Sequence, residues 1–192
     1  MKIIYGLLMS AAMLMSLSCN AKDAGANNEQ TARMLIMQYF PGQASIVENK
    51  KPFVRKGDFN ADGIDDLAVL FLPNTKLKTS KQLKVSMPWV YPGVKPSKTY
   101  HQSLAIFNGD QSGWKSSNIR VFALLDTLGV LETPSFELLI SRKNDKDYKS
   151  HSVMLPIKSS GDLIIIPTEA GIDTYVYWDK NEYKLLEPEE IP

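Results

Sequence analysis

Between Asp58 and Asp66 every second residue supplies an oxygen: Asp58, Asn60, Asp62, the backbone carbonyl of Ile64, then Asp66, with Gly63 in sixth place. A hard divalent cation asks this of a short loop, because calcium takes roughly six to eight oxygens at about 2.3 to 2.6 Å and a tight bend turns alternate side chains inward. Gly63 stands where the backbone has to turn sharply, and without a Cβ it enters positive φ at little steric cost. Carboxylates held about 5 to 6 Å apart repel by roughly 3 kcal/mol per pair at an effective dielectric of about 20, and a cation removes that cost. The expected ligands are Asp58, Asn60, Asp62, Ile64 through its carbonyl, and Asp66, and the expected cofactor is calcium. An Asx-rich turn without metal uses the same residue types and stands as the competing reading.

An EF-hand would need a carboxylate at the twelfth loop position and an exiting helix to carry it. Counted from Asp58 that position is Val69, and the residues around it, Leu67 to Leu72, form an apolar run closed by Pro73. Such a run reads as a buried strand, so the loop is expected to join two strands. Without a bidentate glutamate its affinity belongs to the weak extracellular class, about 10⁻⁴ to 10⁻³ M. The segment from Gly57 to Val69 resembles the FG-GAP or VCBS-type repeat of extracellular proteins, over about twenty residues from Lys51 to Leu72. The resemblance implies a calcium loop tying two strands of a β-propeller blade. A complete propeller needs about four to eight blades of four strands, more than this chain can supply. Gly171-Ile172-Asp173 echoes Gly63-Ile64-Asp65, but without the preceding Asp and Asn ligands.

At the N-terminus Lys2 precedes an apolar stretch from Ile3 to Leu17, the layout of a secretory signal peptide and too short for a good membrane span. The single cysteine, Cys19, falls where this stretch ends. Met15-Ser16-Leu17-Ser18-Cys19 resembles the lipobox of bacterial lipoproteins, which implies cleavage before Cys19 and lipidation of its thiol. Several acyl chains would anchor the chain stably, and Asn20 after the cysteine favours the outer membrane of a two-membrane host. A soluble secreted protein cut after Ser18 or Ala21, or an uncut segment with an incidental cysteine, are the alternatives. Removal of residues 1–18 leaves 174 residues, with 21 basic against 21 acidic side chains. A neutral chain argues against a nucleic-acid partner, whose binding is driven by phosphate neutralisation. No thiol is left for a disulfide, so a packed core must supply the stability, and the length suffices for one.

These residues need a scaffold. Residues 19–26 read as a tether and 27–192 as a single β-rich domain. Ala32, Leu35, Ile36, Tyr39 and Phe40 recur at helical spacing after a capping box of Asn27 and Gln30, and Pro41-Gly42 ends the run. Strands are predicted at 45–47, 53–56, 67–72, 83–87, 103–108, 119–125, 136–141, 152–157, 163–166, 174–178 and 183–186. Turn residues separate them at Asn108-Gly109-Asp110, at Ser159 to Asp162, and at Asp179-Lys180-Asn181. The fold class is therefore mainly β, an antiparallel sheet domain with one N-terminal helix.

No second chemistry matches this one. His101 and His151 stand in no zinc pattern, and there is no nucleophile elbow or phosphate loop. In Met87 to Gly93, Trp89 and Tyr91 between prolines could meet a partner or plug the end of the sheet. Lys76, Lys78, Lys81, Lys84, Lys95 and Lys98 make this region basic, as a solvated loop or a contact with anionic membrane. Glu187, Glu189 and Glu190 read as an exposed tail. The function expected is an exported, lipid-anchored binding or structural protein of the cell envelope with a calcium-stabilised loop. Its partners would be the membrane, through the anchor, and an envelope protein or glycan. An envelope hydrolase with an unrecognised site is the alternative.

Overall fold

A computed structural model of the chain describes residues 21–47, 52–86, 101–115, 118–125, 138–153, 155, 159–167 and 173–186. The first element, α1 (Ala21–Tyr39), starts earlier than the expected capping box. Asn27 is a helix-interior residue whose carbonyl accepts from Thr31 Oγ1 at 2.9 Å. Residues 21–26, expected within the tether, belong to the helix, and Ala21, Ala24 and Ala26 contribute the highest intrinsic helix propensity. Its other end is as expected: the helix stops at Tyr39, and Gly42 takes φ +69° beyond Pro41.

The strands are β1 (Ala44–Ile46), β2 (Val54–Gly57), β3 (Asp66–Pro73), β4 (Leu83–Ser86), β5 (Ser103–Phe107), β6 (Val121–Leu124), β7 (Leu139–Ser141), β8 (Leu163–Ile166), β9 (Thr174–Asp179) and β10 (Glu182–Leu186). Among the described residues ten strands follow α1, and the fold is mainly β with no closed propeller. The first sheet runs β1-β3-β5-β6-β4, with β2 also on β3. β1 takes the Phe71–Pro73 end of β3 and β2 the Asp66–Val69 end, so two short strands share one edge. All pairs are antiparallel except β4 with β6. The second sheet runs β10-β9-β8-β7 and is antiparallel throughout.

Strand alternation decides what each face meets. Residues Leu67, Val69 and Phe71 pair with Phe107, Ala105 and Ser103, and this face receives α1. Phe40 stacks on Phe71 at 5.2 Å and meets Phe107 edge-on at 6.2 Å, with Ala32, Leu35 and Ile36 buried beside it. The opposite face carries Ala68, Ile106 and Phe122 in register. Phe122 meets Tyr183 edge-on at 5.0 Å and Trp178 at 5.5 Å, so the second sheet covers this side. Layers on both faces explain why β3 is an unbroken apolar run rather than an alternating one.

One predicted strand is wrong. Residues around 152–157 form no described strand: Tyr148–Ser152 is a short helix, α2, and Leu155 follows it. Tyr148 and Leu155 cover Leu163, Ile165, Tyr175 and Tyr177 on the outer face of the second sheet. β8 pairs with β7. Among the described residues no helix is long and apolar enough to cross a membrane.

Candidate metal loop

The residues between β2 and β3 form a loop fastened from both ends. Gly57 pairs with Asp66, and Phe59 between them is 1 % exposed, its ring driven into the core by its apolar area. Gly63 has φ +83°, as its position in the sequence demands, and Ala61 has φ +62°, a conformation that costs a residue with a Cβ about 1–2 kcal/mol.

The polar side chains turn inward. Asp58 accepts the N–H of Asp62 on Oδ1 and that of Gly63 on Oδ2, each at 3.1 Å. Asn60 Oδ1 accepts the same Asp62 N–H at 2.9 Å, and Asp62 Oδ1 accepts the Ile64 N–H at 2.9 Å. Asn60 Nδ2 donates to Asp62 Oδ2 at 2.9 Å. Asp58, Asn60 and Asp62 are therefore gathered around one bend. Burial pushes the Asp58 carboxyl up, against the pull of the Gly63 N–H, and the negative charges of Asp62 and Asp162 push the same way. Among the described residues the ion pair nearest the bend is Lys56 with Asp65 at 2.7 Å. Both side chains are exposed, so the pair contributes little.

Asp66 is placed differently. It is 0 % exposed, and its Oδ2 accepts the N–H groups of Phe59 at 3.0 Å and Asn60 at 3.2 Å. Its Oδ1 accepts the Gly109 N–H at 3.0 Å. Tyr183 donates its hydroxyl to Asn108 Oδ1 at 3.0 Å and stands 3.5 Å from Asp66 Oδ2. Burial pushes the Asp66 carboxyl up to about 7 despite the three N–H groups that pull it down. Burial, then the Asp66 charge, raise the Tyr183 phenol well above its ordinary value. Asp66 thus ties the loop to the β5–β6 connection and to β10, and the spacing of the sequence alone did not distinguish this from an inward-facing ligand.

Among the described residues no three His, Cys, Asp or Glu side chains converge on one point. The donors that gather are two carboxylates and an amide, all hard oxygens, which suits calcium or magnesium and not a thiophilic metal. The loop borders an open depression of about 730 Å³. Asp58, Asp62 and Gly63 form one wall, and Arg142, Lys143, Asp145 and Asp162 the other. Nothing in the sequence near Asp58 announced this second wall.

The remaining candidates scatter. Cys19, Trp89, Tyr91, Lys95, Lys98, Gly171 and the glutamate tail lie outside the described residues. Lys76, Lys78, Lys81 and Lys84 are exposed, and Lys84 lies over the Phe122 ring at 5.6 Å. His151 is half-buried, its Nδ1 2.9 Å from Ser141 Oγ and its ring against Tyr175. Ser141 is 3 % exposed, and the pair docks α2 on β7. Comparison with protein-family models, with curated proteins and with solved structures finds no match to this chain.

Proposed function

We propose that the chain is an exported, lipid-anchored binding or structural protein of the cell envelope whose 58–66 loop is stapled by calcium. The observation that carries the metal is the convergence of Asp58, Asn60 and Asp62, two carboxylates crowded around one bend. Those three side chains and the Ile64 carbonyl would hold the ion. Asp66, the fifth ligand expected from the spacing, secures the loop from beneath through the Phe59 and Asn60 amides. The ion supplies positive charge that relieves the crowding. Val69, buried at the twelfth position, closes no coordination shell, which keeps the site weak: a staple, set by extracellular calcium, and not a sensor.

The envelope location rests on the signal-peptide layout and on Cys19 in a lipobox-like setting. The outer membrane, facing the periplasm, is the proposed site, and an envelope protein or glycan the proposed partner. Calcium titrated calorimetrically into the parent and into Asp62→Ala tests the metal: heat in the parent and none in the variant is expected, and equal heats remove the site. Fractionation of cells making the parent or Cys19→Ala tests the anchor. Membrane association lost in the variant supports it, and identical distributions sink it.

A further inference from the structure

We propose that Asp162 is the positioning residue of the metal loop: from the second sheet it fixes the stretch of backbone that carries the first calcium ligand, Asp58. The proposal rests on the calcium reading above. Asp162 lies 104 positions beyond Asp58, yet two hydrogen bonds join them, one to its carboxylate and one from its main chain. The Asp58 N–H donates to Asp162 Oδ2 at 3.0 Å, and the Asp162 N–H donates to the Asp58 carbonyl at 2.8 Å. The other carboxylate oxygen, Oδ1, accepts the Lys143 N–H at 2.9 Å. One side chain therefore ties together the metal loop, the start of β8 and the turn after β7.

The contact has no slack. A Cβ on Gly161 would stand 2.3 Å from the Phe59 carbonyl oxygen and 3.0 Å from that of Asp58. A Cβ on Gly57 would stand 2.8 Å from Asp162 Oδ2. At Gly161 backbone thus lies on backbone, whereas at Gly57 the space is taken by the Asp162 carboxylate and the Phe59 ring. The Asp58 carboxylate is itself locked to the Asp62 and Gly63 amides, so displacing the Asp58 main chain displaces the gathered oxygens as a unit. Asp162 has both oxygens on backbone amides and acts through Asp58. Carboxylates that orient metal-binding groups from outside the coordination shell typically account for about 10- to 100-fold in affinity. Linkage requires the converse, that the ion tighten the grip of Asp162 on Asp58 and Lys143.

The test is a calcium titration of the full chain followed by backbone amide NMR, for the parent, Asp162→Asn and Asp145→Asn, with hydrogen exchange of the parent at zero and saturating calcium. Asp162→Asn keeps one acceptor oxygen and places an amide group against an N–H, so about tenfold weaker binding is expected. Asp145 borders the same depression, and its carboxylate accepts the Arg142 N–H, so Asp145→Asn controls for loss of a negative charge and is expected within about twofold of the parent. Exchange at the Asp58 and Lys143 amides should slow when calcium is added. Parent-like affinity in Asp162→Asn, or an equal loss in Asp145→Asn, overturns the proposal and leaves the calcium reading standing. Should Asp162→Asn not fold, unchanged exchange at Lys143, which binds no metal, overturns it from the parent alone. A parent that takes up no calcium overturns both.

Discussion

Asp66 shows what one buried carboxylate can be asked to do. Three backbone amides, those of Phe59, Asn60 and Gly109, depend on it. In Asp66→Ala each loses its acceptor at about 1–3 kcal/mol, so a loss of at least about 3 kcal/mol in urea unfolding is expected. A loss under about 1 kcal/mol would show the amides finding water instead. The same residue sets a pH dependence in chelator. Its folded carboxyl sits at about 7 against an ordinary 3.8, so the unfolded chain gives up this proton first. The stabilisation is fully present below about pH 4 and is lost as pH rises through 7. Three units correspond to about 4 kcal/mol, so chelated protein should grow less stable from pH 5 to pH 8. Stability that is flat or rising over that window contradicts the assignment. Ala61, by contrast, carried no signal of its positive φ in the sequence, because alanine is chosen there against its steric preference.

The elements were legible where a pattern is local. β3 could be read from a six-residue apolar run, α1 from helical spacing on its buried face, and the β9–β10 hairpin from Asp179-Lys180-Asn181, whose Lys180 takes φ +58°. Where a short helix lies across a sheet, as α2 does, five residues are too few to establish a helical period. The candidate site divides in the same way. Asp58 to Asp66 could be found by spacing, whereas Gly109, Asp162 and Tyr183 meet the loop only after both sheets have folded. Phe122 is the element-scale joint, since it touches Trp178 and Tyr183 across the sheets. Phe122→Ala should cost about 3–5 kcal/mol. Urea unfolding checks this, and a second transition in the variant would show the sheets coming apart separately. A cost under about 1 kcal/mol would mean that the sheets are joined elsewhere.

In the molecule as a whole α1 packs on the first sheet, the first sheet on the second and α2 on the outer face of the second, and the metal loop is bonded to both sheets. Calcium binding should therefore stabilise the fold globally instead of only quieting one loop. At about 1 mM free calcium and a dissociation constant of about 0.1 mM, linkage gives about 1.4 kcal/mol, which for a chain of this size is a rise of about 3–6 °C in Tm. Thermal melts in calcium and in chelator check it, and superimposable melts would remove the staple from the account.

The early start of α1 bears on how an anchored chain would be held. If Cys19 carries lipid, the described helix begins two positions beyond it and runs 19 residues, about 28 Å at 1.5 Å per residue. Its far half is glued to the body by Ala32, Leu35, Ile36 and Phe40. The domain would then stand on a mast instead of floating on a leash. Any partner would then have to reach it close to the lipid surface.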